Sequence, residues 1–504
     1  MSASPGHETP LRDPSSIFFQ SHRVRRLIIA SYWVVILLAT PLWWHTTSIE
    51  RLSLPTAQVQ YQAKTVLSFP ITIRLDPSLV QDDPSITGKL QQLFDTHSSK
   101  GGQWRGLSIH VEVGSEADSL DMPGTYSVTW TPSADTVITG RRISFPIHHR
   151  PLPHLADVLA ALLVPYSSDP DREYRIAQYS PRFRLSFTLL NEDAAAGQAI
   201  TGWDLTNAIH HHVDPIVTAL SILHNFTIES QVQFHAPLAF KPQALDNESF
   251  GLTPEDLTVF INSAEWTLSS SSSNDPVLHF ILFVPSGARK PLVILNPDGS
   301  LSHSNSFLIP QWGGVTIYNP SDDSPPHRYM SSIDLDTLFP AFSNQLLALL
   351  GVPGLHADVR ISPDDNSLLS DWQLDALLRR RAFENDRGAK DTLRSTVKLV
   401  DQIENMPVGQ VVRDDVRDAL SALEKMHSLS ANSLVETMRL SADAATHASR
   451  AFFNPGMLAL LYFPPEHKYA VYTPLFASAV IPLIAAALRE FLAWRRQHRQ
   501  VANT

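Results

Sequence analysis

The sequence predicts a mixed α/β body that ends in a helical portion and is flanked by two transmembrane helices. Three observations carry that prediction. No residue carries a full charge from Leu27 to Ser48, and none does from Tyr469 to Leu488. Between these stretches, apolar residues recur at every second position in some segments and at helical spacing in others. After about Ser370 the strand signals give out and helical spacing takes over.

A helix of about 20 residues matches a hydrocarbon core of about 30 Å, so each uncharged stretch is long enough to span. A cleaved signal peptide is the rival for the first, but Pro41, Trp43 and Trp44 crowd the place where small residues belong at a cleavage site. A buried core helix is the rival for the second, because Pro474 and Pro482 interrupt it. Membrane helices tolerate proline where neighbouring helices satisfy the freed carbonyl. Arg23, Arg25 and Arg26 precede the first stretch, and Arg489, Arg495, Arg496 and Arg499 follow the second. Arginine and lysine stay cytosolic, which puts both termini in the cytosol and the intervening chain across the membrane. Trp43, Trp44, Tyr469 and Tyr472 then fall at one interface, where aromatic side chains anchor a span. The expected organisation is a cytosolic tail over 1–26, a span over 27–48, a mixed α/β domain over 49–369, a helical region over 370–468, a span over 469–488 and a basic tail over 489–504.

Asn225-Phe226-Thr227 and Asn247-Glu248-Ser249 are acceptor patterns for N-linked glycans, and both lie in the segment placed across the membrane. They point to the endoplasmic reticulum lumen or a compartment downstream of it, and mark Asn225 and Asn247 as glycosylation sites. The 504 residues carry 39 Lys plus Arg against 50 Asp plus Glu, a net charge of -11 that argues against a nucleic-acid partner. There is no cysteine, so disulfides, thiolate metal sites and a thioester-forming nucleophile are all excluded.

Within the body, Ile71 to Leu75, Leu107 to Val113 and Phe183 to Leu189 alternate as half-buried strands, and Leu278 to Val284 reads as a more buried one. Ile209, Val213, Ile216, Val217 and Leu220 share a helical face, and Leu346, Leu347 and Leu350 belong to another. Loops are marked at Ser269 to Ser273, Asn296 to Gly299 and Ser321 to Pro326. Val416, Leu420 and Leu423, then Leu434, Met438 and Ala445, predict helices leading to the second span. No repeat of fixed period is visible.

No chemistry-bearing motif survives inspection. His210-His211-His212 precedes Asp214, but neighbouring residues on a helix point about 100° apart and do not converge on one ion. His148-His149 with His154 lacks a carboxylate pattern, and the pairs Asp364-Asp365 and Asp414-Asp415 read as helix N-terminal charges. Nucleophile-elbow, dinucleotide, phosphate-loop and zinc-helix patterns do not occur. A triad assembled from distant residues stays open, with a two-span lumenal hydrolase or transferase as the alternative reading. No catalytic residue, cofactor or metal is expected.

Ala451-Phe452-Phe453-Asn454-Pro455, Leu460 to Pro464 and Lys468 to Phe476 near the end carry a likeness to a known family. Pro41 to Trp44, Ser186 to Asn191, Asn225 to Thr227, Trp312 to Val315 with Tyr318-Asn319, and Trp372 with Leu374-Asp375 and Leu377-Leu378 match as well, in family order. Together these segments resemble the PIG-S subunit of the GPI transamidase. The resemblance implies a non-catalytic two-span subunit of the endoplasmic reticulum membrane with a large lumenal domain. It also implies other transamidase subunits as partners, among them a caspase-like chain that supplies the attacking cysteine. Membrane lipid, and the GPI lipid itself, are further implied contacts. Trp312-Gly313-Gly314 has two readings at this level, a tight turn into a strand or a partner-docking edge with Trp312 as its anchor.

Overall fold

The computed structural model describes residues 21–501 apart from 48–49, 101, 115–123, 147–149, 168, 197–198, 246–247, 269–273, 322–324, 326, 364–367, 404–405 and 459–464. The chain forms two units, one of 1–56, 395–416 and 450–504, the other of 57–394 and 417–449.

The first unit contains helices His22–Thr47 and Pro465–Val501. Each includes a segment long and apolar enough to cross a membrane, Arg23–Trp43 and Ala470–Arg496. Both helices run on through their prolines, Pro41, Pro474 and Pro482. Trp43 packs edge-on against Tyr472 and Phe476, with ring centroids 5.8 and 5.2 Å away. At the opposite ends, Glu490 accepts from Nε of Arg25 at 2.9 Å and Nε of Arg26 at 2.8 Å.

The strands of the second unit, numbered along the chain, begin with β1 (Phe69–Leu75), β2 (Leu107–Val113), β3 (Thr125–Trp130), β4 (Thr136–Thr139) and β5 (Arg142–Phe145). Next come β6 (Arg182–Asn191), β7 (Ala199–Trp203), β8 (Asn225–Gln233), β9 (Gln243–Ala244), β10 (Phe250–Leu252) and β11 (Val277–Val284). The remainder are β12 (Leu292–Ile294), β13 (Ser306–Ile309), β14 (Gly313–Ile317), β15 (His327–Met330) and β16 (Val359–Ile361). Two large sheets result, ordered β16-β4-β5-β3-β1-β2 and β13-β14-β11-β6-β8.

The two sheets share one topology. In each, the opening strand pairs in parallel with its second on one side and its third on the other, β1 with β2 and β3, β6 with β8 and β11. An antiparallel hairpin, β4-β5 or β13-β14, then lays a fourth parallel strand beside the third. This is the doubly wound plan, in which the chain reverses direction of travel across the sheet between the first and third strands. The unit is therefore two like modules in tandem, a repeat of topology that no sequence period announces.

The predicted strands appear where the alternation put them. β1 buries Phe69, Ile71, Ile73 and Leu75, and the last three form the first core with Leu155, Leu159 and Leu162 of helix Leu152–Leu163. β6 departs from expectation. Its polar residues Arg184, Ser186 and Thr188 are buried along with its apolar ones, because β6 lies inside the sheet with both faces covered. The predicted helical face from Ile209 to Leu220 is split into Leu205–His212 and Asp214–Ala219, with Pro215 opening the second. At the sheet edge, the side-chain amide of Gln91 stands in for a missing strand. It donates to Ile109 O at 3.1 Å and accepts from Val111 N at 2.9 Å, closing part of the outer rim of β2.

The C-terminal portion is helical, as Asp371–Gln402, Gln410–Leu429 and Leu434–Phe452. A Ser370 and Gln373 capping box starts the first: Gln373 N donates to Ser370 Oγ at 3.3 Å and Ser370 N to Gln373 Oε1 at 3.1 Å. Asp414 and Asp415 lie inside the second rather than ahead of it, since that helix begins at Gln410.

Candidate functional site

In doubly wound sheets ligands bind in the crevice at the carboxyl ends of the strands, where the winding reverses. In the second module that point lies between the ends of β6 and β11. It is occupied by the chain's own carboxylate. Glu192, just past β6 and with its side chain 4% exposed, accepts from Ser286 N at 2.9 Å and from Nη1 of Arg289. Beside it, Asn191 accepts from Ile200 N at 2.8 Å and donates to the carbonyls of Ile200 and Gln233. An internal anion thus fills the position a bound anion would take, and its donors are consumed.

A cavity of about 730 Å³ opens among residues of both modules and the helical portion, lined by Trp104, Asp157, Tyr166, Arg172, Glu173 and Arg380 among others. Its floor is also self-satisfied. Arg380 donates to both oxygens of Glu173 at 3.0 and 2.6 Å and to Glu384 at 2.8 Å, with its guanidinium 5.1 Å from the Tyr166 ring centre. Burial pushes the Tyr166 phenol up to about 12, and the nearby Glu384 charge adds to it. These groups neutralise one another instead of activating a nucleophile.

Trp312, Gly313 and Gly314 lie where the β13-β14 hairpin turns into β14. Gln311 takes a left-handed conformation at φ 59° in that turn. A Cβ on Gly313 would stand 2.0 Å from His279 O, and one on Gly314 would stand 2.0 Å from Oε1 of Gln345. Both glycines are therefore close-approach positions, and β14 is paired on both sides, to β11 and β13. Strand addition at Gly313 and Gly314 is closed. Trp312 is half-buried against the second core, stacked on His279 at 4.5 Å. Burial pulls the His279 imidazole down to about 4, with the Arg184 charge assisting, so it is neutral at neutral pH.

The remaining sequence-marked residues are dispersed. Asn225 is exposed at the start of β8, the outer strand of its sheet, while Asn247 and the side chains of Trp44 and Tyr469 lie outside the described residues. His212 pairs with Asp336 at 2.8 Å, and the exposed His210 and His211 do not join it there. His154 approaches Asp358 at 3.3 Å alongside Arg150, while His148 and His149 lie outside the described residues. Among the described residues no group of three or more His, Asp or Glu is arranged to hold a metal ion.

A buried cluster on helix Asp371–Gln402 has no signal in the local sequence pattern. Asp375 receives Tyr126 Oη at 2.8 Å and a bidentate fork from Arg141 at 2.7 and 2.9 Å. Arg379, fully buried, donates to Tyr126 Oη at 2.9 Å. Arg381, also buried, donates to Leu350 O at 2.8 Å and so caps the end of helix Phe339–Leu349.

The fold is thus tandem doubly wound modules in a chain that also carries two helices long and apolar enough to cross a membrane. The chain belongs to the PIG-S family, described as Phosphatidylinositol-glycan biosynthesis class S protein, which matches residues 30–497. It is 31% identical to the GPI transamidase component PIG-S homolog of Schizosaccharomyces pombe, over 95% of this chain and 86% of that protein. It is 29% identical to the GPI-anchor transamidase component PIGS of Homo sapiens, over 94% and 95% of the two chains. Identity to the GPI transamidase component GPI17 of Saccharomyces cerevisiae is 24%, over 88% and 87%.

Proposed function

We propose that this chain is a non-catalytic structural subunit of the GPI transamidase, supporting the transfer of GPI anchors to proteins in the endoplasmic reticulum lumen. One observation carries the reading: similarity to named transamidase components runs nearly end to end and takes in both apolar helices. The absence of cysteine agrees with a division of labour in which a caspase-like partner chain supplies the thiolate. The task of this chain is placement, holding lumenal partners so that a protein tail and the amine of the GPI lipid meet in reactive geometry. Placement of that kind lowers a barrier by several kcal/mol with no side chain of the placing subunit in the reaction.

In this reading residues 27–48 and 469–488 span the membrane, the tails 1–26 and 489–504 are cytosolic, and 49–468 are lumenal, α/β to 369 and helical from 370. Trp43, Trp44, Tyr469 and Tyr472 sit at the lumenal interface. Asn225 and Asn247 carry glycans, and Trp312, held by Gly313 and Gly314, offers its open ring edge to a partner. Affinity purification in mild detergent tests the function. The caspase-like subunit is expected to co-purify in stoichiometric amount, and its absence while other membrane complexes stay whole overturns the reading.

A further inference from the structure

Glu490 is the only acidic residue in 21–47 and 470–504, where seven arginines and no lysine are found. Its side chain is 11% exposed, and its carboxylate receives Nε and Nη2 of Arg25 at 2.9 and 2.5 Å and Nε of Arg26 at 2.8 Å. The carboxylate is thereby consumed, and the first helix's arginines are drawn onto the second helix. Arg25 and Arg26 nevertheless keep 48% and 42% of their side chains exposed. A simple orientation bias needs basic flanks but does not need them joined. Here one carboxylate gathers like charges that repel each other, which leaves a concentrated excess of cation.

We propose that Arg23, Arg25, Arg26, Arg489, Arg495 and Arg496 form a joint site, at the terminus-side ends of both helices, for the headgroups of anionic phospholipids. Arg489 and Arg496 are two helical turns apart and share one face. Between them Phe491 and Trp494 lie 6.0 Å apart, 56% and 44% exposed. Exposed aromatics of this kind settle at headgroup depth, which puts the neighbouring guanidinium groups level with lipid phosphates. Each arginine brings a planar fork that matches phosphate oxygens in pairs. Immediately inward, Leu27 and Leu488 are exposed. Cations above an apolar helix surface match a molecule with an anionic head and acyl tails, not a soluble anion.

The test uses the full chain in nanodiscs of phosphatidylcholine with phosphatidylserine admixed, reading lipids that stay bound in native mass spectrometry. Phosphatidylserine should be retained over phosphatidylcholine. An Arg489→Gln, Arg496→Gln variant should lose retention by about 25-fold, at about five-fold per arginine. Raised salt should weaken the wild-type preference. Equal retention of the two lipids, or an unchanged preference in a folded double variant, overturns the proposal. So does displacement of phosphatidylserine by inorganic phosphate, which would mark a soluble-anion site. If the double variant does not fold, the wild-type preference and its salt dependence decide alone. None of these readouts involves the transamidase, so failure here leaves the assembly reading untouched.

Discussion

Gly313 and Gly314 are adjacent, yet their environments differ in what can yield. The neighbour of a new Cβ on Gly313 is backbone at His279, whereas the neighbour on Gly314 is the side-chain amide of Gln345. Gly313→Ala should therefore cost about 3 kcal/mol, the upper end for overpacking, and Gly314→Ala nearer 1 kcal/mol, as thermal unfolding of the purified chain would read. Equal losses would refute the distinction. The close approach was legible in the Trp-Gly-Gly pattern itself, since glycine serves where backbones crowd. The buried histidines were not. His224, whose Nδ1 lies 2.6 Å from Ser180 O, is pulled down to about 4, mainly by burial, as is His279. The unfolded chain takes up protons near 6.5, which the folded imidazoles refuse until about 4. The stability from each is complete above 6.5 and drains as pH falls, by about 2 kcal/mol per histidine at about pH 5. His279→Phe keeps a ring under Trp312 and should remove roughly half of the acid sensitivity these two contribute to the melting temperature. An unaltered acid slope would disprove the assignment.

Helix Asp371–Gln402 is the element where sequence and structure part most. Its start was readable, because Ser370 and Gln373 make a capping box and Trp372, Leu377 and Leu378 sit at core spacing. Arg379, Arg380 and Arg381 are three consecutive charges, and all three are buried. Glu384 lies within one turn of Arg380 and Arg381, but local pattern cannot reveal the burial, because the partners Tyr126, Glu173 and Leu350 O are distant in sequence. The helix works as a strut. Asp375 and Arg379 grip the first module through Tyr126 and Arg141, and Arg381 grips the second through Leu350. Asp375→Asn leaves the Arg141 fork without its anion and should cost about 2 kcal/mol, because water reaches the 44% exposed Arg141 and takes up part of the stranded charge. Differential scanning calorimetry of the full chain in detergent would measure it, and a loss below about 1 kcal/mol would show that the strut is held by packing alone. β1, β2 and β11 were legible from alternation and apolar content, but the pairing order was not, since register across 30 or more residues leaves no local trace.

At the scale of the whole chain, the two modules repeat one winding order while their sequences carry no shared period, so the duplication is visible only in strand connectivity. The paired terminal helices make a prediction of their own. If 49–468 lie in the lumen as proposed, protease added to sealed microsomes should trim only the tails, and glycosidase should shift the intact chain but not an Asn225→Gln, Asn247→Gln variant. Internal cleavage would reverse the orientation. Gln91 plugs part of the outer rim of β2, and among the described residues no such plug is seen on β8, nine residues long and outermost in its sheet. Asn225 is its first residue and is exposed. A carbohydrate tree rooted there would stand like a bumper in front of that edge. Newly made copies crowded at one translocation site would then be kept from stitching together strand to strand.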